Sequence, residues 1–269
     1  MVVIGIGQAG CNIASCFSKG NKKILIDADK FPSTCKRVED YEKKCPAFKK
    51  ELSFREKKCW VILGGAGKVA GASLRIMEKI KDKEINVVYI CPDPILSTPI
   101  QLKRHRVTFN VIQEFARSGL LNSVYLISNK QILDIVGEGP ISSVYSQANN
   151  TLANIIETIE YFKSEQPIFG SIAEPKEISR IRTFGIGFIE KNEEKLLFPL
   201  DNITETGYIY SVSQEKLEGE NDLLSVIKQK ITHDKNNEII SSFSIFSSAH
   251  NKSFYYSIKC THHIQLEEK

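Results

Sequence analysis

Two glycine-rich turns, each set between an apolar run and a helical pattern, constrain this chain more than any other feature. The first, Gly5-Ile6-Gly7-Gln8-Ala9-Gly10, closes the apolar run 2–6 and opens a helix over 10–18. The second, Gly64-Gly65-Ala66-Gly67-Lys68, follows the run 59–63 and precedes a helical pattern over 70–80. A strand that ends on glycine and turns into a helix leaves backbone N–H groups open to an approaching phosphate. Taken alone, the first turn fits the dinucleotide fingerprint, and Asp27, at the end of the next strand-like run, suits a ribose hydroxyl. The second is not a Walker A loop. Ile62 stands where that motif needs its first glycine, and Val69 where it needs Ser or Thr. Two such loops on neighbouring strands suit a nucleotide whose phosphates are cradled from two sides by backbone donors.

Further apolar runs at 23–27, 85–91 and 123–127, with a helical pattern at 101–116, complete an alternation of strand and helix. That alternation predicts a largely parallel sheet with helices on both faces. Over 142–162, Val144, Ala148, Leu152, Ile155, Ile156 and Ile159 recur at helical spacing, so one face is buried along its length. Beyond Pro167 and Gly170 the pattern changes to a short helix at 174–182, strands at 184–189, 207–212, 241–247 and 254–260, and one helix at 222–231. The expected fold is α/β. A mostly parallel-sheet nucleotide-binding domain over 1–140 is joined by a long central helix, 141–166, to a smaller α+β domain, 167–269. The charged stretch 33–57 is assigned to no element.

An apolar fraction of 42% supports a packed core, and the net charge of +4 is mild. Lysines in 42–58 and 81–83 alternate with acids and read as solvated helix faces, so no direct nucleic-acid binding is expected. The seven cysteines form no C-x-x-C pair, which argues for free thiols and against zinc. No run reaches the length of a membrane span and no signal peptide precedes Val2, so the expected location is cytoplasmic.

The residues between these landmarks carry a resemblance. Gly5-Ile6-Gly7-Gln8-Ala9-Gly10-Cys11-Asn12 is similar to the first phosphate loop of the tubulin/FtsZ superfamily, and Ile26-Asp27-Ala28-Asp29 to its second. Gly64-Gly65-Ala66-Gly67 stands in for the family's glycine-rich signature. The run 85–91 into Pro92, then Lys103-Arg104 opening a helix, resembles the same stretch of FtsZ. Asn129-Lys130 resembles the loop whose Asn contacts guanine. Tyr145 and Asn150, at the start of the long helix, fall where the family stacks on and reads the base. Glu174-Pro175-Lys176-Glu177 resembles the acidic loop that one subunit inserts into its neighbour's nucleotide pocket. The stretch 33–57 has no counterpart of the glycine-rich loop that contacts the γ-phosphate in FtsZ.

The resemblance implies a short, divergent member of phage or plasmid type that binds GTP or GDP with Mg²⁺ and polymerises head to tail with itself. The implied nucleotide contacts are Gly7, Gln8, Ala9, Gly10, Asn12, Asp27, Asp29, Gly64, Gly65, Ala66, Gly67, Lys68, Arg104, Asn129, Tyr145 and Asn150, with Asp29 serving the metal. Glu174 and Glu177 are the implied catalytic pair. Carboxylates three residues apart can share a face and polarise a water. Two rival readings stand beside it: an oxidoreductase using Gly5, Gly7, Gly10 and Asp27, and a nucleotide-binding relative that does not hydrolyse.

Overall fold

The structure is a computed structural model and describes residues 1–189, 193–219, 223–248 and 253–266. The chain forms two compact units, Met1–Asn154 with the chain's end from Ile264, and Ile155–His263.

The first unit holds β1 (Val2–Ile6), α1 (Gly7–Cys16), β2 (Lys22–Ile26), α2 (Val38–Lys43), β3 (Lys58–Gly64), α3 (Ser73–Glu78), β4 (Glu84–Cys91), α4 (Pro99–Arg117), β5 (Ser123–Ser128) and α5 (Asn129–Val136). Its strands run parallel in the order β2-β1-β3-β4-β5. β1, β4 and β5 are apolar almost throughout because helices cover both faces of a parallel sheet. Phe109, Ile112 and Ala116, at helical spacing on α4, are fully buried. Gln113 binds the chain's end: its side chain donates to the carbonyl of Gln265 and accepts the Gln265 N–H at 2.8 Å.

Three local expectations change. The helix expected over 70–80 is a 3-10 turn, Val69–Ala72, followed by α3. Gly71 lies so close to α2 that a Cβ would come within 2.5 Å of the Val38 carbonyl oxygen. α4 opens at Pro99 rather than at Lys103, because Thr98 caps it and Gln101 Oε1 accepts the Thr98 N–H at 2.8 Å. The unassigned stretch 33–57 is α2 plus turns around a small aromatic core. Phe31 meets Tyr41 at 5.0 Å and Phe48 at 5.7 Å, and Leu52 and Phe54 are buried beside the turns. The lysine-rich stretches are therefore not helix faces outside Val38–Lys43; 81–83 is a turn, with the Lys83 ammonium 5.5 Å above the Phe54 ring.

α6 (Ile141–Ser164) runs through the division between the units. The second unit then holds β6 (Phe169–Ser171), β7 (Ile181–Phe188), β8 (Glu193–Leu196), β9 (Glu205–Ser213), α7 (Gln214–Gly219), α8 (Leu223–Asn236), β10 (Ile240–Ser248) and β11 (Phe254–Thr261). Its sheet order is β7-β11-β9-β10-β6, with β8 on β7. Among the described residues of this unit, β9 and β10 pair in parallel and the other strand pairs are antiparallel. Asp222, the expected first residue of the helix over 222–231, lies outside the described residues. The short helix expected over 174–182 is absent: 172–176 is irregular, one turn follows, and β7 begins at Ile181. The Lys176 N–H instead donates to the Glu205 carboxylate at 3.0 Å, a tertiary contact that ties this segment to β9.

One face of this sheet carries buried charge. Glu194 accepts from Ser257 and lies 3.2 Å from Lys259 and 3.6 Å from Lys230. The Lys259 ammonium donates to the Tyr208 hydroxyl at 3.1 Å, which donates in turn to Asp234 at 2.8 Å. Lys230 sits 4.2 Å above the Tyr255 ring. Burial pushes the Lys230 ammonium below its ordinary pKa; Glu194 opposes that shift and Lys259 adds to it.

Candidate functional site

In the first sheet the chain leaves β1 for β2 on one side, while β3 pairs on the other. Ligands of open α/β sheets bind at such a switch point, beyond the carboxyl ends of the strands. A cleft of about 360 Å³ lies there, within the size range of small-ligand sites. The strand order β2-β1-β3-β4-β5 differs from the 3-2-1-4-5-6 order of the dinucleotide fold and is the other common doubly wound order, which obeys the same switch-point rule.

Gly7 turns β1 into α1 with a φ of +70°, a left-handed conformation that a side chain would strain. α1 has no side-chain cap and no acid in its first turn. Its first N–H groups and the positive end of its dipole are therefore left for an anion. Gly7, Gln8, Ala9 and Asn12 line the cleft from this side. Gly64, Gly65, Ala66 and Gly67 line it from the end of β3, and Asn129 from the first position of α5, where Ser128 caps the helix. Tyr145, 42% exposed, lines it from α6.

Other expected contacts stand elsewhere. Gly10 is absent from the lining: a Cβ there would come within 2.1 Å of the Ile62 carbonyl oxygen, so this glycine lets α1 pack on β3. Gly65 does line the cleft, but its open side faces the core. A Cβ would come within 1.9 Å of the Tyr89 hydroxyl, which lies 2.9 Å from His105 Nδ1. Asp27 Oδ1 accepts the Ala28 N–H at 2.8 Å, and exposed Asp29 pairs with Lys30 at 3.2 Å; neither is in the lining. Both lie near α1, since the Cys11 thiol is pushed up to about 11 by burial first, then by Asp27, with a smaller push from Asp29. Lys68 is exposed and Arg104 lies in the second turn of α4, both outside the lining. Asn150 is exposed, whereas its neighbour Asn149 lines the cleft. Gln101 and Pro92 are further lining residues not foreseen in the sequence. The cue for Gln101 was the Thr98-x-x-Gln101 capping pattern, which places the helix start three residues from it. Glu174 and Glu177 are exposed residues of the second unit, and Glu174 borders a separate cavity of about 250 Å³ there.

Among the described residues, no group of three or more His, Cys, Asp or Glu side chains could hold a metal, and no helix is long and apolar enough to cross a membrane. No disulfide joins the seven cysteines, all of which lie among the described residues.

No protein-family model matches the sequence, and no curated protein matches it. Solved structures do match, over nearly the whole chain. TubZ from Bacillus thuringiensis serovar israelensis, in a GTPγS-form protofilament, aligns with a TM-score of 0.75 at 14% identity, covering 96% of this chain and 85% of that one. CetZ2 from Haloferax volcanii, a GTPγS-bound protofilament, aligns at 0.68 and 12% identity, covering 96% and 92%. An empty FtsZ dimer from M. jannaschii aligns at 0.65 and 13%, covering 97% and 87%. The chain has the fold of the tubulin/FtsZ superfamily, in a form far diverged in sequence from these structures.

Proposed function

We propose that this chain binds a guanine nucleotide in the cleft at the ends of β1, β3, β4 and β5 and polymerises head to tail, with GTP hydrolysis completed by the acidic loop of the adjacent copy. The observation that carries this reading is the convergence of both glycine turns, Asn129, Asn149 and Tyr145 on one lining. The residues fit the ligand. The first-turn N–H groups of α1 and the backbone of 64–67 meet phosphate oxygens from two sides. Asn129 and Asn149 offer amides that both donate and accept, as a guanine edge requires. Tyr145 presents a partly exposed ring for stacking. Mg²⁺ retains several waters and needs only one or two carboxylates, so it can enter with the triphosphate without a protein cage; Asp27 and Asp29 are the acids near α1. The bound ion supplies neutralisation of the phosphate charge. Glu174 and Glu177 of the next copy orient and polarise the attacking water. The protofilaments of TubZ and CetZ2 support the assembly half of the proposal.

The test begins with mass spectrometry of whatever the purified protein releases on denaturation: guanine nucleotide supports the reading, while a nicotinamide or equal affinity for ATP and GTP overturns it. GTP turnover per subunit should then rise with protein concentration from the onset of sedimentable polymer. Glu174→Ala and Glu177→Ala should bind and assemble but hydrolyse far more slowly. Turnover independent of concentration would place the catalytic group within a single copy.

A further inference from the structure

The acidic loop is stitched to the sheet of its own unit. Glu205, the first residue of β9, is 8% exposed, and its carboxylate accepts the Lys176 N–H at 3.0 Å and the Ser179 hydroxyl. The Ser179 N–H donates to the Lys176 carbonyl at 2.9 Å, which closes a turn over the same carboxylate. Arg182 Nε donates to the Ser179 carbonyl at 3.2 Å, and the Ala173 N–H donates to Ser242 at 3.1 Å. Positions 173, 176 and 179 are thus held, and Glu174 and Glu177, both exposed, project between them. Hydrogen bonds to a buried carboxylate are among the stronger ones in a protein, and leaving such a charge without them is costly.

We infer that Glu205 is a positioning residue for hydrolysis: it fixes the backbone of the acidic loop, and through it the placement of Glu174 and Glu177, without touching the nucleotide. The inference rests on the reading that these two glutamates complete the site of the next copy. Misplacement of a reacting group by about 1 Å can cost on the order of a hundredfold in rate. The loop needs such an anchor because no helix holds it.

The experiment compares Glu205→Ala, Glu205→Gln and Ser179→Ala with the parent protein and with Glu174→Ala. Three quantities are measured: amide hydrogen exchange at Lys176, GTP affinity, and turnover above the onset of assembly. In Glu205→Ala, exchange at Lys176 should quicken and turnover should fall by about tenfold to a hundredfold, with GTP affinity unchanged. Glu205→Gln keeps an acceptor oxygen and should restore part of both exchange protection and rate. Ser179→Ala removes a single hydroxyl from a buried site and should shift both in the same direction by less. It decides the matter if Glu205→Ala does not fold. Parent-like turnover in Glu205→Ala and Ser179→Ala, beside a slow Glu174→Ala, overturns the inference and leaves the catalytic reading standing. Parent-like turnover in Glu174→Ala as well overturns that reading and the inference with it. A merely structural role would lower stability and GTP affinity together and leave the turnover of bound GTP unchanged, which also overturns the inference.

Discussion

In the first unit, Gln8, Asn12, Asn129 and Asn149 stand beyond strand ends and line a cleft, whereas in the second Glu194, Lys230, Lys259, Tyr208 and Asp234 lie over one sheet face and bind one another. The first arrangement follows from a parallel sheet: with both faces covered, polar groups collect in the loops at the strand ends. The second follows from alternation along β11, where Tyr255, Ser257 and Lys259 share a face and α8 brings Lys230 and Asp234 one turn apart onto it. Polar residues thus line an open cleft in one unit and bind one another in the other. Substitutions should divide accordingly into those that change binding and those that change stability.

The largest effect is expected for Glu194→Ala. It leaves buried Lys259 and half-buried Lys230 without their shared carboxylate, and removing one partner of a buried ion pair costs about 3–5 kcal/mol. Denaturant unfolding should show that loss, while the nucleotide affinity of the first unit stays at the parent value. A weakened affinity would break the division of roles. Next comes a pair of glycines. Gly10→Ala forces a Cβ against the Ile62 carbonyl and should destabilise the first unit by about 1–3 kcal/mol, as overpacking does. Gly67, whose Cβ would meet nothing closer than 3.7 Å, lines the cleft; Gly67→Ala should keep the parent Tm and weaken nucleotide binding. Gly65→Val, by contrast, would strike Tyr89 and disturb folding and binding together.

Asn149→Ala should weaken GTP binding by about 0.5–1.5 kcal/mol, the net worth of one hydrogen bond, with Asn150→Ala close to parent in an isothermal titration. The reverse order would return the base contact to Asn150. The smallest effect is in pH. Burial raises the pKa of Tyr208, Tyr210 and Tyr255, with Glu194 adding to each. A raised folded pKa means that their contribution is fully present below the ordinary tyrosine value of 10.0 and is lost as pH climbs above it. Lys230 has the opposite sign: its lowered folded pKa favours the folded state as pH rises towards 10.5. Three tyrosines outweigh one lysine, so the phenolates of Tyr208, Tyr210 and Tyr255 should appear above pH 10 together with unfolding of the second unit. Ionisation of Tyr208, Tyr210 and Tyr255 while that unit remains folded would contradict the burial argument.

What could be read from the sequence follows the same division. Glycine turns announce themselves because few residues other than glycine tolerate the backbone of Gly7 or the crowding around Gly10. The apolar runs of β1, β3, β4 and β5 and the spacing on α6 were equally plain. Asn149 rather than Asn150 lines the cleft, and the sequence could not choose between them, because two consecutive asparagines on a helix differ by about 100° in direction and only packing selects one. β6 and β8, with 3 and 4 residues, are too short to show a period of two. Glu174-Pro175-Lys176-Glu177 looks like a helix start, yet the segment is tied through the Lys176 N–H to Glu205, a residue far along the chain that local pattern does not reveal. The ionic cluster of the second unit was invisible for the same reason: its members come from β8, β9, α8 and β11.

The second glycine turn is braced from behind. Gly65 rests on the Tyr89–His105 pair, and Gly71, in the 3-10 turn that follows it, rests on Val38. A wall held at both ends has little conformational freedom to surrender when a ligand arrives, so the ordering cost that usually erodes affinity is small on that side. Ligand arrival then needs no rearrangement of this wall, and the lifetime of the bound state is set by the contacts that must break as it leaves.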